Sequence, residues 1–557
     1  MKILILGGYG VFGGRLASLL SDIVDAEILI CGRDGTKASE FCRRYHGKAK
    51  VTAVEMSRTD ITTAIKVHQP NIVVDASGPF QDYGDNPYVV VKACIEARVN
   101  YLDFADAADF VFGISQFDQQ AQAAGVFILS GVSSFPVLTA AVLREMSKDM
   151  AIQSVTGGIA PSPYAGIGLN VMRAVVGYAG APVKIMRQGK QTHAKGLTES
   201  LRFTIAPPGH LPLRNLHFSL VDVPDLQVLP PEHESLSDIW MGAAPVPETL
   251  HRILNLLAKT RASLHLPSFV MFSPLFYWVL NLAKFGEHRG GMFVKATGVK
   301  NGKLVEKSWH LLAEGDDGPF IPSMAIEAII RKAMEGATPA HGARPATKAL
   351  DLADYRKLFE NRSIFTGFRN PEEMDGPLYQ QILGTAFRAL PGQLQALHSV
   401  KGEKVWEGQA QVSRGKNPFA TLLARLFGFP TDAKETKVTV KFLSTEQGER
   451  WERNFGGRSF SSSQTLGSGR NTGLLVERFG IISVALATVV KDNQLHLVPR
   501  RWQALGIPLP RLLLPSGESF EYERDGVFRF NVSIRAPMLG LIVHYHGWLK
   551  ERDGSSD

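Results

Sequence analysis

Short apolar runs alternate with helix-spaced apolar positions over the first 140 residues of the chain. The runs are bounded by turn-forming residues, as is typical of buried parallel strands, and cover 3–6, 27–31, 51–56, 71–75, 100–103 and 126–130. Between them, apolar residues recur at helical spacing, as in Leu16, Leu19 and Leu20. The alternation predicts an α/β domain with a doubly wound parallel sheet over residues 1–140.

A glycine-rich turn follows the first run directly. It is Gly7-Gly8-Tyr9-Gly10-Val11-Phe12-Gly13, with the pattern Gly-x-Gly-x-x-Gly from Gly8 to Gly13. In a Rossmann fold these glycines allow a tight bend, close approach of a pyrophosphate, and close packing of helix on strand. The N–H groups at the start of the next helix face the phosphates. We predict that residues 7–13 bind a dinucleotide; the alternative is a glycine-rich turn without a ligand.

The end of the second strand bears on the choice of cofactor. Arg33 and Lys37 suit the 2′-phosphate of NADP(H), by charge and by the planar guanidinium group of Arg33. Asp34 suits the ribose 2′-hydroxyl of NAD(H) instead. We predict that all three bind cofactor, with NADP(H) favoured over NAD(H). The alternative is that Arg33 and Lys37 only begin a solvated helix.

A second loop leaves the carboxyl end of the fourth strand, where open α/β sheets bind ligands. It contains Ser77, Gly78, Pro79 and Phe80. We predict that these four residues contact the nicotinamide and its ribose.

Several motifs in this region resemble the saccharopine dehydrogenase (saccharopine reductase) family. They are Asp75-Ala-Ser-Gly-Pro-Phe80 with Gly84, Ala93-Cys-Ile-Glu-Ala97, Tyr101-Leu-Asp103, and Gly131 with Pro136. The resemblance covers residues 1–345 and is densest in the first 140. It implies a Rossmann domain with an inserted α+β substrate domain and, typically, NADP(H). Two departures, Arg98 in place of a glycine and the turn 104–107, lie on the substrate side and put the family's amino-acid substrate in doubt.

Tyr101 and Asp103 are the titratable pair nearest the expected nicotinamide position. We predict Tyr101 as a proton donor and Asp103 as the group that orients it or contacts substrate. The alternative is a buried tyrosine whose hydroxyl is satisfied by the aspartate.

The rest of the chain predicts two more regions and a linker. Residues 141–345 are expected to form an α+β substrate and dimerisation domain, with an Asn301-Gly302 hairpin and a helix over 318–336 that returns to the first domain. Residues 346–374 follow Pro345, contain Pro371 and are polar, which indicates a linker. Residues 375–550 predict an α+β domain rich in antiparallel strands.

This last region resembles a bacterial domain of unknown function. The matching motifs include His398, Trp451-Glu-Arg453, Glu477-Arg478, Glu521 and Gly547-Trp548. The charged residues among them either line a polar site or form cross-strand ion pairs.

An apolar stretch, 264–283, leaves three interpretations open. It is long enough to span a bilayer, but Pro267, Pro274 and Asn281 weaken that interpretation. Trp278 with flanking cations suits an interfacial helix and a peripheral membrane or lipid contact. The third interpretation is a core or subunit-interface helix, as in a homodimer.

Composition narrows the functional classes. The chain has 557 residues, a net charge of +8 and three cysteines without a CxxC pair. These features predict a cytoplasmic protein, membrane-associated if 264–283 contacts lipid, with no metal site and no nucleic-acid partner. We therefore expect an oxidoreductase that transfers hydride between NADP(H) and a small carbonyl or imine substrate, of lipophilic character. The alternative is a non-catalytic NAD(P)-binding scaffold whose C-terminal domain binds a lipid or a protein.

Overall fold

The computed structural model describes residues 1–166, 168–282, 286–370 and 375–552, which form two compact units. The first unit contains Met1–Phe203, Leu216–Lys307 and Leu312–Ile364. The second contains Thr204–Asn215, Ser308–Leu311 and the described residues from Phe365 onward.

The elements are numbered in chain order. The strands are β1 Lys2–Leu6, β2 Glu27–Gly32, β3 Lys50–Glu55, β4 Ile72–Asp75, β5 Asn100–Asp103, β6 Phe127–Ser130, β7 Ala151–Ala160, β8 Pro182–Arg187, β9 Lys190–Lys195, β10 Ser200–Thr204, β11 Asn215–Leu220, β12 Asp238–Ala243, β13 Arg289–Lys300, β14 Lys303–Glu314, β15 Gly342–Pro345, β16 Ile364–Arg369, β17 Glu403–Arg414, β18 Ala433–Thr445, β19 Gly448–Phe455, β20 Arg458–Leu466, β21 Leu475–Phe479, β22 Ile482–Lys491, β23 Gln494–Ala504, β24 Ile507–Pro508, β25 Ser519–Arg524, β26 Val527–Ala536 and β27 Gly540–Glu551. The helices are α1 Val11–Leu19, α2 Gly35–Arg44, α3 Ile61–His68, α4 Val89–Glu96, α5 Ala108–Gly113, α6 Asp118–Ala124, α7 Thr139–Met146, α8 Leu169–Tyr178, α9 Asp225–Val228, α10 Glu248–Leu264, α11 Ser273–Leu282, α12 Ile321–Met334, α13 Leu352–Phe359, α14 Leu378–Leu383, α15 Gly392–Leu397 and α16 Pro418–Leu426.

The first unit is built on a seven-stranded sheet with the order β15-β6-β5-β4-β1-β2-β3. Every pair in it is parallel, and the apolar residues of β1, Ile3 to Leu6, are fully or almost fully buried. The chain runs outward from β1 to β3 and then crosses to β4, so the strand order reverses between β1 and β4. Ligands of open α/β sheets bind at such a reversal. The predicted doubly wound sheet is confirmed.

Helix α12 packs against α1 of this sheet. The Arg331 guanidinium donates to the backbone oxygen of Leu19 at 2.9 Å and pairs with Asp22 at 2.6 Å. The Ser323 hydroxyl donates to the backbone oxygen of Phe12 at 3.3 Å. The helix expected over 318–336 therefore contacts the first helix of the sheet.

A second, mixed sheet follows in the chain. Its β7 runs parallel to β12 and antiparallel to β13, and β11 pairs antiparallel with β12. Met292 to Val294 of β13 are almost fully buried. This is the α+β character expected for the middle region.

The linker predicted over 346–374 is not a linker in its described part. Residues 352–359 form α13 and residues 364–369 form β16, while 371–374 lie outside the described residues. Leu352, Tyr355 and Phe359 are buried at helical spacing. These apolar residues explain why 352–359 forms a helix despite the polar composition of the region.

The second unit contains a closed antiparallel barrel of ten strands. The order is β22-β21-β20-β19-β18-β17-β27-β26-β25-β23, pairing of β22 with β23 closes it, and β24 adds to β23. Its core includes the large apolar side chains Trp406, Phe442 and Phe528. The prediction of a domain rich in antiparallel strands is confirmed.

Candidate functional site

The glycine turn is bound to the end of the neighbouring strand. The N–H groups of Gly7 and Gly8 both donate to the backbone oxygen of Cys31, at 2.9 and 3.0 Å. Gly7 has a φ of +73°, and a Cβ there would lie 2.6 Å from the backbone oxygen of Ala76. A Cβ on Gly13 would lie 2.5 Å from the backbone oxygen of Gly7. The turn is therefore as tight as a dinucleotide-binding turn requires, and its glycines fit the cofactor.

The side chains of the turn connect it to neighbouring strand ends. The Tyr9 ring lies across Gly32, where a Cβ would come within 2.3 Å of it, and the N–H of Asp34 donates to the Tyr9 hydroxyl at 3.2 Å. Phe12 stacks on Phe104, beyond the end of β5, at 5.6 Å between ring centroids. Gly10 forms the N-cap of α1, so the free N–H groups of that helix begin inside this framework.

The charged group after β2 has a defined arrangement. Asp34 caps α2: its Oδ1 accepts from the N–H of Lys37 at 3.0 Å, and its Oδ2 lies 3.2 Å from Nζ of Lys37. The backbone hydrogen bond from Lys37 is the main reason that the pKa of Asp34 is lowered. Arg33 is exposed at the end of the strand. Both oxygens of Asp34 are thus already engaged, whereas Arg33 faces solvent.

A polar network fixes the loop after β4. The buried Asp75 carboxylate accepts from the N–H of Ser77 at 3.0 Å and from its hydroxyl at 2.5 Å. Tyr83 lies 3.3 Å from both carboxylate oxygens, and the Arg58 guanidinium stacks on the Tyr83 ring at 3.3 Å. Burial raises the pKa of Asp75, and the Arg58 charge opposes that rise. Sequence reasoning gave no role to Arg58 or Tyr83, because Arg58 is far from Asp75 in the chain and Tyr83 is not one of the matching residues of the Asp75–Gly84 motif.

The other predicted nicotinamide contacts lie in the same loop. Gly78 and Pro79 are partly exposed, and the backbone oxygen of Gly78 accepts from Nδ2 of Asn170 at 2.8 Å. Phe80 is buried and packs against Tyr83 at 4.8 Å between ring centroids. The start of α8 therefore contacts this loop.

Tyr101 and Asp103 are both fully buried on β5. Tyr101 lies in the apolar cluster that includes Val73, Cys94 and Ile114, and burial raises its pKa well above the usual value. Its hydroxyl makes no hydrogen bond in the described structure, so Asp103 does not satisfy it. Oδ1 of Asp103 instead accepts from the N–H groups of Ala105 and Gly131, at 2.9 and 2.7 Å.

A second group of acidic side chains follows β5 on the substrate side. Oδ1 of Asp106 accepts from Gln81 at 3.1 Å, and burial raises the pKa of Asp106. Burial also raises the pKa of Asp222 to about 6, with Asp109 and Asp106 adding to the rise. The Tyr178 hydroxyl has a pKa raised by burial and then by the charges of Asp222 and Asp106. Of these residues the sequence singled out only Asp106, as part of a departure from the family motif.

Lys184 supplies a positive charge beside this acidic group. Its Nζ lies 2.6 Å from Oδ1 of Asp109, which also accepts from Nε2 of Gln227 at 2.9 Å. Asp106 and Asp222 form no ion pair among the contacts that the structure describes. Burial raises the pKa of both carboxyls, to about 6 for Asp222.

The polar residues singled out in the C-terminal region separate into two groups. Arg453, Glu477, Glu521 and His398 lie inside the barrel, where His398 Nε2 is 2.5 Å from Oε2 of Glu521 and Arg453 is 3.1 Å from Oε1 of Glu477. Glu452 lies on the outer face and pairs with Arg450 at 3.0 Å. Arg478 is also exposed.

The described part of the apolar stretch 264–283 lies on the surface. It contains a short turn and α11, and Met271, Trp278 and Leu282 are 78%, 61% and 65% exposed. In the described parts of the chain, no helix has both the length and the apolar character needed to cross a membrane. The described side chains also include no group of three or more His, Cys, Asp or Glu placed to hold a metal ion.

Comparison with protein families agrees with this geometry. Residues 3–129 match the saccharopine dehydrogenase NADP binding domain. Residues 390–549 match a domain of unknown function, DUF4166. Both resemblances found in the sequence are confirmed, and the N-terminal sheet is an NAD(P)-binding fold of the oxidoreductase kind. No curated protein sequence matches the chain.

Three solved structures illustrate the wider similarity. Apo saccharopine dehydrogenase (L-Glu forming) from Saccharomyces cerevisiae is 10% identical, covers 66% of this chain and 99% of its own, and has a TM-score of 0.47. Amine dehydrogenase from Mycobacterium smegmatis is 10% identical over 61% and 94%, with a TM-score of 0.33. The WlbA dehydrogenase from Thermus thermophilus, in complex with NAD and alpha-ketoglutarate, is 9% identical over 65% and 99%, with a TM-score of 0.30. At these values the similarities support no conclusion about activity.

Proposed function

We propose that the protein is an NADP(H)-dependent oxidoreductase that transfers hydride between its cofactor and a carbonyl or imine carbon of a small, lipophilic substrate. The observation that carries this proposal is the glycine turn, in which Gly7 and Gly13 have no room for a side chain and α1 begins directly behind them. When bound, the nicotinamide supplies the hydride chemistry, and the protein supplies position and a proton.

The arrangement after β2 favours NADP(H) over NAD(H). Both oxygens of Asp34 are engaged by Lys37, so Asp34 is poorly placed to accept from a ribose hydroxyl. Arg33 remains exposed beside it and offers the planar donor set that binds phosphate in a bidentate manner.

The acidic group of Asp106, Asp222 and Tyr178 is suited to proton transfer on the substrate side. Burial holds the pKa of Asp222 near 6, so a small change of environment switches it between acid and base. The predicted pair Tyr101 and Asp103 is less accessible, because both side chains are fully buried. Its catalytic role stays a prediction, which Tyr101→Phe tests: unchanged turnover would remove it.

The competing function is a non-catalytic NAD(P)-binding scaffold. The departures from the family motif at Arg98 and over 104–107 favour it. Under this alternative the cofactor binds tightly but is never consumed.

The deciding experiment is NADPH oxidation with a panel of aldehydes, ketones and aldehyde–amine pairs of increasing alkyl chain length. We expect steady oxidation with a primary isotope effect from one of the two C4-deuterated NADPH epimers. Asp222→Asn should lower turnover and leave NADPH affinity unchanged, with Asp238→Asn, on β12, as the matched control. Tight NADPH binding without turnover on any member of the panel would support the scaffold.

We also propose that the protein is cytoplasmic and that its surface segment 264–282 contacts lipid, which would place it at a membrane. From Thr249 to Gly286 the sequence contains no acidic residue, while Arg252, Lys259, Arg261 and Lys284 are basic. Leu275→Ser with Trp278→Ser should reduce binding to phosphatidylserine vesicles. A shift from dimer to monomer, with unchanged vesicle binding, would instead identify a subunit interface.

A further inference from the structure

One end of the C-terminal barrel differs from the other in its connecting segments. Neighbouring strands are antiparallel, so successive connections alternate between the two ends. One end carries 415–432, 456–457, 480–481, 505–518 and 537–539, which we call the apolar rim. The opposite end carries 446–447, 467–474, 492–493 and 525–526.

Large exposed apolar side chains are concentrated on the apolar rim. In the described residues from 375 to 552, every strongly exposed one except Leu466 lies there. Met538 is 96% exposed and Leu512 is 85% exposed, and the others are Phe419, Leu422, Leu426, Ile481, Leu505, Ile507 and Leu513. Soluble domains rarely concentrate such side chains at one end unless that end binds something.

Helix α16 exposes its large apolar side chains, whereas a surface helix usually buries them. Its small residues Ala420 and Ala424 are fully buried, and the helix packs on β27. Phe419, Leu422 and Leu426 share the opposite face, at spacings of three and four residues, and are exposed. The barrel core packs against the two alanines and the half-buried Leu423, which lie on the other face of the helix, so folding of the barrel does not explain the exposed face.

The apolar rim carries an excess of basic residues, which favours an anionic partner. Seven exposed basic residues lie in its connections or within two residues of them: Lys416, Arg425, Lys434, Arg458, Arg478, Arg511 and Arg535. Within the same limits there are two acidic residues, Asp432 and Glu518. Basic side chains interspersed with exposed aliphatic and aromatic ones suit an anionic bilayer, which accepts apolar insertion and neutralises the cations.

We propose that the apolar rim docks the C-terminal barrel on an anionic lipid bilayer. The exposed face of α16 and the turns at Leu512 and Met538 enter the boundary between headgroups and acyl chains, and the surrounding arginines pair with lipid phosphate and carboxylate groups. The proposal is independent of the catalytic function and of the segment 264–282, because it rests on a different unit of the chain.

The test is cosedimentation of the full-length protein with phosphatidylcholine vesicles, with and without phosphatidylserine, at low and high salt. We expect binding that requires phosphatidylserine and falls with salt. The triple variant Leu422→Ser, Leu426→Ser, Met538→Ser should bind about tenfold more weakly or worse, because three side chains lose contact with the acyl region. Arg425→Ala with Arg511→Ala should weaken binding at low salt more than at high salt.

Two controls keep the result specific. Leu466→Ser alters the exposed leucine at the opposite end of the barrel and should bind like the wild type. The variant Leu275→Ser, Trp278→Ser should leave the effect of the triple variant in place, because the two surfaces act separately. Wild-type protein that ignores anionic vesicles at low salt, or a triple variant with undiminished binding, would overturn the proposal. Loss of self-association in the triple variant, without any vesicle binding, would overturn it in favour of a protein interface.

Discussion

The two units of this chain place their polar groups in opposite positions. In the N-terminal sheet the polar side chains Arg33, Ser77 and Asp106 are exposed or half-buried beyond the carboxyl ends of the strands. In the C-terminal barrel, His398 and Glu521 are enclosed by the strands, and exposed apolar groups mark one rim. An open parallel sheet leaves the ends of its strands accessible to a ligand, whereas a closed barrel buries the side chains that its strands direct inward.

The difference teaches that similar residues serve different purposes in the two units. Buried charge costs free energy unless it is paired, and the barrel pairs His398 with Glu521 and Arg453 with Glu477. The first unit instead has two partly buried acids, Asp106 and Asp222, that form no ion pair among the described contacts, and burial raises the pKa of each carboxyl. We therefore expect barrel substitutions to change stability and edge substitutions to change binding. The following predictions test that division.

The largest effect is expected from Glu521→Ala in the barrel. The variant removes the partner of the fully buried His398, which lies 2.5 Å away, and breaking a buried pair costs about 3 kcal/mol. Urea unfolding followed by circular dichroism measures the loss, and NADPH affinity should stay unchanged. Glu452→Ala, on the outer face, is the control and should change stability little. Equal stability of the two variants would contradict the division.

The next largest effect is expected from Gly10→Ala in the glycine turn. A Cβ at Gly10 would lie 3.0 Å from the backbone oxygen of Gly7, so the turn must shift slightly to admit it, and it also occupies space that the pyrophosphate needs. NADPH affinity, measured by nicotinamide fluorescence, should fall about 100-fold, or about 2.7 kcal/mol. Gly392→Ala, where a Cβ meets nothing within 4 Å, should bind NADPH like the wild type.

Asp103→Asn should change the pH dependence of stability. Burial raises the pKa of Asp103 to about 7, above its ordinary value of about 3.9, so the native state holds the proton more tightly than the unfolded state. The contribution of Asp103 is therefore greatest below its unfolded pKa and falls as pH rises toward 7. The free energy of unfolding of the wild type, relative to the variant, should drop by about 2 kcal/mol from pH 5 to pH 8. A pH-independent difference would show that Asp103 is ionised in the fold.

The smallest effect is expected from Arg98→Gly. Arg98 has a φ of +56°, the left-handed region that favours the glycine found in the resembled family. The substitution should raise the free energy of unfolding by about 0.5–1 kcal/mol. Arg98→Ala removes the charge but keeps the backbone penalty and should give no gain. If Arg98→Ala also raised the free energy of unfolding, the effect would come from removal of the Arg98 charge.

Sequence patterns predicted the two units unequally well. The N-terminal strands have continuous apolar runs, and glycine spacing marks the cofactor turn, so both followed from local signals. Strand β20 shows no alternation of apolar and polar residues, because its inward positions include Ser462 and Gln464, which the polar part of the barrel interior accommodates. Pairing of β22 with β23, which closes the barrel, is a long-range choice that no local pattern encodes.

The candidate site shows the same limit. Gly7 to Gly13, Arg33 and Ser77 follow from motif and strand order. Arg58 and Tyr83 join Asp75 only through the folded loop, and Asp222 joins Asp106 from a region far along the chain. Tyr101 was chosen by topology alone, which gives a residue's place on a strand but not the side of the sheet that it packs into.

The most direct test of the account is titration of the purified protein with NADPH and with NADH, followed by nicotinamide fluorescence, alongside Arg33→Ala. The account predicts tighter binding of NADPH than of NADH. It also predicts a loss of about tenfold in NADPH affinity in the variant, with NADH affinity unchanged, because one charge-assisted phosphate contact is removed. A preference for NADH would indicate that Asp34, through the ribose 2′-hydroxyl, selects the cofactor instead of Arg33. Binding of neither cofactor would contradict the assignment of the glycine turn itself.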